Sequence, residues 1–352
     1  MKAMIMAAGV GSRLMPLTAA VPKPMVPMAN RPLMENIVEV LGKHGFTGII
    51  ANLHHQGPLL KGHFGGGEGF GVSLQYSEEA ELMGTAGGVK RCEWFLGGDT
   101  FVVMSGDALT DVDLSELVAV HKQKGALATI ALKEVEDVEN YGVVITDEEG
   151  RIKSFQEKPP REQALSRVVN SGIYVFESEV FRYIPEGQFY DFGRQVFPDL
   201  VQMGAPFYGH VIDGYWCDVG NFETYRRSHA DILAGQVKYQ VRGQVLEGTL
   251  GGRVLLGEGV KLGKGVTFKG CVVIGSGCHI GNGAVIEDSI IWEDTMLEAR
   301  SVIREAVIGA GCTVGTGAVI NSGAVVASGC TVPADGEVPA GSRVFATEPL
   351  NE

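Results

Sequence analysis

The sequence predicts an α/β domain with a mixed, mostly parallel sheet, followed by a parallel β-helix, and three observations carry that prediction. From residue 1 to about 235, short apolar runs alternate with amphipathic stretches, as in a sheet covered on both faces. From 236 to 352, aliphatic residues recur every six positions. The chain's 50 glycines, roughly twice the usual share, crowd into that last third, as a repeat built of turns requires.

In chain order, Met4–Ala8, Ile49–Leu53, Val72–Tyr76 and Phe101–Ser105 read as buried strands. Leu33, Ile37 and Leu41 share one face of a helix opened by Pro32, and a second helix spans roughly Leu114 to Lys124. Tyr141–Thr146 and Arg151–Gln156 flank Asp147-Glu148-Glu149-Gly150, a hairpin whose glycine supplies the turn. The repeat then runs through Leu256, Leu262, Phe268, Ile274, Ile280 and Ile286, slips phase to Ile291, Leu297 and Ile303, and slips again to Ile308, Val314, Ile320, Val326 and Val332. Glycine follows the aliphatic residue at several of these positions and relieves a tight corner there. About fourteen hexads, three to a coil, give between four and five coils. Helix is excluded for this region, because each interior glycine costs roughly 1 kcal/mol. Coils that contact mainly their neighbours make the repeat separable, so a chain cut near 236 is expected to keep a foldable first domain.

A net charge of -13 without any Lys/Arg run excludes a polyelectrolyte surface for nucleic acid, so an anionic substrate must be held locally. The 6 cysteines, with no CxxC pair, indicate reduced thiols, and the chain shows neither a signal-peptide core nor a membrane-length apolar run. A cytoplasmic protein is expected.

The first strand runs into Ala8-Gly9-Val10-Gly11-Ser12-Arg13-Leu14, a glycine turn at a carboxyl edge, where α/β sheets bind ligands. It lacks the third glycine of a dinucleotide fingerprint and the Gly-Lys-Ser/Thr of a P-loop. What remains is a turn whose N–H groups can approach phosphate or base, then a proline-stiffened segment carrying Arg13 and Lys23, two cations suited to a triphosphate. Asp107 closes an apolar strand and Asp218 follows an aromatic pair. Together they could hold Mg²⁺, with phosphate oxygens completing its shell; singly, Asp107 could form a strand-end turn and Asp218 could cap a helix. Adjacent His54 and His55 face opposite ways in an extended segment and make a poor metal pair. His279 lies inside the repeat.

The string from Met6-Ala7-Ala8-Gly9 to Leu17-Thr18, with Pro22-Lys23-Pro24-Met25, resembles the signature of sugar-1-phosphate nucleotidylyltransferases. The resemblance continues through Gly84-Thr85-Ala86-Gly87-Gly88, Ser105-Gly106-Asp107, Tyr141-Gly142-Val143-Val144, Glu157-Lys158-Pro159, Asn170-Ser171-Gly172 and Trp216-Cys217-Asp218-Val219-Gly220, and it covers essentially the whole chain. It implies a Rossmann-like nucleotidyltransferase domain followed by a left-handed β-helix. It further implies that Arg13 grips the departing pyrophosphate, Lys23 the triphosphate and Lys158 the sugar phosphate. Ala8, Gly9, Gly11, Glu81, Gly84 and Thr85 would complete the nucleotide site. Glu157 and Asn170 would bond sugar hydroxyls, Gly142 would offer backbone to the sugar, and Asp107 and Asp218 would hold Mg²⁺. Pro24 after Lys23 and the Gly84-Thr85-Ala86-Gly87 string resemble mannose-1-phosphate guanylyltransferases most, which implies GTP with mannose 1-phosphate; UTP or dTTP with glucose 1-phosphate is the rival pair. Some left-handed β-helix acyltransferases use a histidine in the repeat, but His279 has no companion constellation. A catalytically silent subunit would have no need of Arg13, Lys23, Asp107 and Asp218. The partners implied are the two small-molecule substrates, with neither nucleic acid nor membrane, and a homo-oligomer formed through the β-helix.

Overall fold

The computed structural model describes residues 1–346. They form two compact units: Met1–Gly9 with Met34–Asp218, and Val10–Leu33 with the chain from Val219 onward.

The first unit is built on a mixed sheet. Across it run Ile152–Glu157, Gly142–Thr146, Val168–Phe176, Phe101–Ser105, Lys2–Met6, Gly48–Leu53 and Ser73–Glu78, with Ala128–Glu134 also pairing Val168–Phe176 and Phe207–Val211 at the edge beyond it. The four strands from Phe101–Ser105 to Ser73–Glu78 are parallel, and Val168–Phe176 joins them antiparallel. Four of these strands are those expected from their apolar runs, each within two residues of the expected ends. The 147–150 turn closes the expected hairpin, with the Asp147 and Gly150 N–H groups bonded across it and Gly150 at φ 81°. Helix Leu114–Gln123 begins on Asp113, whose carboxylate accepts from the N–H groups of Ser115 and Glu116. Phe176, Phe192, Phe197 and Phe207 stack in series under the sheet, with ring centroids 5.1–5.4 Å apart, and give this unit an aromatic core.

In the second unit the hexads stack in columns. Leu256, Ile274, Ile291, Ile308, Val326 and Val344 are in register down one sheet, and two further sheets carry the other aliphatic positions. The three sheets complete five coils and begin a sixth, one more than the count that stopped at Val332, because Val338 and Val344 continue the period. The two phase slips are corners one residue shorter, where Asp288 and Glu305 take left-handed φ values of 43° and 42°. Helix Phe222–Ala234 is closed by an Asn221 capping box and by Gly235 in left-handed conformation. It runs along the stack: the Leu233 carbonyl accepts from Arg253 in the first coil, Tyr225 meets Trp292 in the third, and the Phe222 ring lies under the Arg343 guanidinium at the start of the sixth.

Val10–Leu33 also belongs to this unit. It is a series of single 3₁₀ turns, Ser12–Leu14, Leu17–Ala19 and Lys23–Met25, followed by a minimal hairpin pairing Pro27–Met28 with Arg31–Pro32. The hairpin tip is held by residues 239–274, so the separability expected of the repeat does not extend to its neighbourhood here.

Candidate active site

At the carboxyl end of Lys2–Met6 the chain passes through Ala7, Ala8 and Gly9. The Ala7 N–H donates to Asn52 Oδ1 at 2.8 Å, Asn52 Nδ2 donates to Glu79 Oε1 at 2.7 Å, and Glu79 Oε2 accepts from the Met83 N–H at 3.1 Å. Asn52 and Glu79 are buried, and with them the first strand end is tied to the 83–88 turn. No sequence motif singled out this pair. A Cβ on Gly9 would meet nothing within 4 Å, so space is open beside that backbone. Gly84, at φ 74°, opens helix Gly84–Arg91; a Cβ there would lie 2.5 Å from the Tyr190 carbonyl, which accepts from the N–H groups of Ala86 and Gly87. The Thr85 hydroxyl donates to Asp191 and accepts from the Phe192 N–H, while Glu81 stands exposed on the preceding turn.

The Phe101–Ser105 strand ends at Gly106, whose N–H donates to the Met6 carbonyl at 2.9 Å and whose missing side chain lets the two strand ends approach. Asp107 follows, half-buried, accepting from the Ser105 hydroxyl at 2.6 Å. Ala108–Thr110 then pairs antiparallel with Trp216–Asp218, and the register sets Asp218 opposite Ala108, next to Asp107. Thr110, Asp111 and Tyr215 lock the far end of this ribbon by backbone and side-chain bonds of 2.7–3.2 Å. The helix-cap alternative for Asp218 is closed, because Asn221 fills that role. Two carboxylates brought together there would suit Mg²⁺, a hard ion that is held by one or two carboxylates and keeps positions for water and substrate phosphate. Among the described residues no group of three or more His, Cys, Asp and Glu could hold a metal.

The ribbon connects to the 142–157 hairpin through Trp216, whose indole N–H donates to the Ser171 carbonyl at 2.8 Å and whose ring meets Tyr141 edge-on. Asn170 sits where Val168–Phe176 bulges; its Oδ1 accepts from the Gly172 N–H and its Nδ2 donates to the Tyr174 hydroxyl. Burial first, and then the charges of Asp191, Glu157 and Asp107, hold the Tyr174 phenol above its usual range. A Cβ on Gly193 would meet the Glu157 carboxylate at 2.4 Å. Burial raises the pKa of Glu157, Asp191 adds to the rise, and Lys158 and Arg194 oppose it. Lys158 takes φ 46°, unusual for a long side chain, and so projects from a constrained backbone. Gly142 is a glycine for a packing reason: a Cβ there would lie 2.4 Å from the Phe155 ring. Asp191, missed by sequence reasoning, bonds Thr85, caps the π-helical turn Phe192–Val196 and lies near Glu157.

In the second unit Gly11, at φ 69°, packs on Lys23: a Cβ there would approach Lys23 Cβ to 2.9 Å, and the Thr18 hydroxyl donates to the Gly11 carbonyl. The turn carrying exposed Arg13 is thereby folded back on buried Lys23. His54 Nδ1 lies 2.8 Å from the Glu79 carbonyl, and exposed His279 stands in a ladder between Lys261 and Met296. None of the 6 cysteines forms a disulfide, and no helix among the described residues is long and apolar enough to cross a membrane.

Comparison with known proteins places this geometry. Residues 2–235 match the nucleotidyl transferase family, and residues 238–338 match the left-handed β-helix (LbH) domain of the EIF2B epsilon subunit. A Synechocystis protein named UTP–glucose-1-phosphate uridylyltransferase is 45% identical over 251 residues, 68% of this chain and 65% of its own length. A Mycobacterium tuberculosis protein named mannose-1-phosphate guanylyltransferase is 35% identical over 237 residues, 66% of this chain and 65% of its own. The match thus spans a little under two thirds of each relative. A Bacillus anthracis crystal structure, described as a glucose-1-phosphate thymidylyltransferase with a sucrose, superposes with TM-score 0.61 at 28% identity over 68% of this chain and 97% of its own. With a Rossmann-like mixed sheet followed by parallel coils, the chain belongs to the nucleotidyl transferase family.

Proposed function

We propose that this chain joins a nucleoside triphosphate to a sugar 1-phosphate, forming a nucleotide sugar and releasing pyrophosphate. The observation that supports this most is the pairing of Asp218 with Ala108, which brings the backbone of Asp218 beside the turn that carries Asp107. The sugar phosphate is already an anion, so its attack on the α-phosphorus needs charge neutralisation rather than a general base. Asp107 and Asp218 would hold Mg²⁺, which when bound offsets the charge on phosphate oxygens. Arg13 and Lys23 neutralise the triphosphate and its departing pyrophosphate. Lys158 takes the sugar phosphate, and Glu157 and Asn170 accept and donate hydrogen bonds to sugar hydroxyls. Open backbone at Gly9 and the Gly84-Thr85 turn, with Ala8, Gly11 and Glu81, receive the nucleotide.

For the substrate pair, two observations pull apart. The Lys23-Pro24 and Gly84-Thr85-Ala86-Gly87 strings favour GTP with mannose 1-phosphate, whereas the greater identity to a uridylyltransferase favours UTP with glucose 1-phosphate, and we put that pair first. Pyrophosphate release measured across four NTPs and several sugar 1-phosphates decides it: the highest kcat/KM is expected with UTP and glucose 1-phosphate. A higher value with GTP and mannose 1-phosphate reverses the order, and no release from any pair removes the activity. The reading includes a cytoplasmic enzyme that self-associates through the β-helix, where Val245, Leu246, Leu250 and Leu262 are exposed at and beside the first coil. Light scattering tests the association, and a monomeric mass refutes it.

A further inference from the structure

The segment carrying Arg13 and Lys23 is built of single turns, and several long-range ties to it come from the second half of the chain. Asn30 Nδ2 donates to the Ile274 carbonyl at 2.9 Å and to the Arg242 carbonyl at 3.3 Å, with Asn30 itself at φ 65°. The Arg31 guanidinium donates to the Gln240 carbonyl at 3.0 Å and lies over the Tyr239 ring, and the Tyr239 hydroxyl donates to the Met28 carbonyl at 3.0 Å. Nearest to Lys23, the Tyr225 hydroxyl donates to the Pro27 carbonyl and accepts from the Trp292 indole N–H at 3.0 Å.

Trp292 breaks the repeat. Following the stacked aliphatic residue, the other complete coils carry Gly257, Gly275, Gly309 and Ala327; the third carries this tryptophan, and the incomplete sixth has the exposed Phe345. It is only 2% exposed and Tyr225 is fully buried, so the indole–phenol hydrogen bond is dry, and the phenol continues the chain to the half-buried Pro27 carbonyl. Such a chain is costly to break, because a buried partner left unpaired loses its solvation without compensation. Between Pro27 and Lys23 the backbone is stiffened by Pro24 and Pro27, and the Val26 N–H closes a turn onto the Lys23 carbonyl at 3.1 Å. A constraint on the Pro27 carbonyl therefore reaches Lys23 with little slack.

We propose that Tyr225 and Trp292 are positioning residues for nucleotide binding: the third coil of the β-helix, through Tyr225, sets the place of the Lys23 segment. The proposal rests on the nucleotidyl-transfer reading above. It is tested in the full-length chain with Tyr225→Phe and Trp292→Phe, each of which keeps an aromatic ring and removes one link. NTP and sugar 1-phosphate are varied separately and pyrophosphate release is followed. The expected result is a roughly tenfold rise in KM for the NTP in each variant, no larger in the double variant, with KM for the sugar phosphate unchanged. A general loss of packing would raise both KM values or neither. Asn30→Gly, which tolerates the left-handed backbone and cuts a tie outside the core, should show the same split and serves if a core variant fails to fold. Unchanged NTP KM in Tyr225→Phe and Asn30→Gly, or equal rises for both substrates, overturns the relay. Lys23→Ala separates the two levels: if it loses NTP affinity while the relay variants do not, only the relay falls; if Lys23→Ala and the wild type bind NTP alike, the phosphate role of the segment falls.

Discussion

The ribbon ending at Asp218 and the Arg13–Lys23 segment hold their candidate site residues by different means. Asp218 ends a strand and Asp107 sits in the two-residue turn between two strands, so the places of both are set by backbone ladders on either side. Arg13 and Lys23 lie on 3₁₀ turns that lead into a short hairpin, and that hairpin is tied by side chains whose partners are distant in sequence. A ladder is redundant and a set of single side-chain ties is not, which makes the second region the more sensitive to distant substitution.

The largest test bears on the ladder-held side. Asp107→Asn and Asp218→Asn should each lower kcat about a hundredfold or more while circular dichroism and melting stay near wild type, because an isosteric amide removes a charged ligand and leaves no cavity. A folded Asp107→Asn enzyme with near-normal turnover at saturating Mg²⁺ would falsify the assigned mechanism. The double variant should fall little below either single one, since two ligands of one ion act as a unit.

Next in size is truncation. A chain ending near 236 loses the partners of Met28, Asn30 and Arg31 at Tyr239, Gln240, Arg242 and Ile274. KM for the NTP should rise by more than tenfold, while binding of sugar 1-phosphate, followed by calorimetry, changes little. Equal affinity of truncated and full-length chains for NTP would erase the contrast between the two regions.

Gly84→Ala places a Cβ against the Tyr190 carbonyl in a left-handed backbone. The expected cost is about 1–3 kcal/mol, seen as a fall of several degrees in Tm with weaker NTP binding. The smallest effect is electrostatic. The Glu157 carboxyl titrates above its ordinary value, through burial first and Asp191 second. Its charged form, the proposed acceptor for a sugar hydroxyl, is therefore lost earlier as pH falls, and KM for sugar 1-phosphate should begin to rise above the usual carboxylate range. Asp191→Asn removes the like charge and should move that limb to lower pH. A limb that stays put means burial alone sets it.

Much of this was legible in the sequence, for physical reasons that differ by region. Buried parallel strands must be apolar throughout, so Phe101–Ser105 announces itself, and the hexads give the coil period directly. Asp107 and Asp218 could be paired only as a supposition, because register is a property of two strands 108 residues apart and leaves no local mark. Asn52, Glu79 and Asp191 act through single hydrogen bonds inside the fold and sit in no motif. Gly142, expected to offer backbone to the sugar, has a packing role as well, a Cβ there meeting the Phe155 ring, which was hidden because the cross-strand diagonal cannot be read without the hairpin's register. Trp292 was visible only as a missing glycine.

Helix Phe222–Ala234 touches the stack at both ends, Leu233 at the first coil and Phe222 at the sixth. At about 1.5 Å per residue a helix of this size spans roughly 20 Å, close to the rise of four or five rungs spaced about 4.8 Å apart. Repeats commonly drift in number when a gene slips by one unit during copying, because each added unit repeats its neighbour's contacts. Here one extra coil would carry Arg343 a full rung past the ring it covers, and one fewer would leave it short. The helix is a gauge cut to one length, and it ties the number of coils to a stretch of chain that contains no repeat at all.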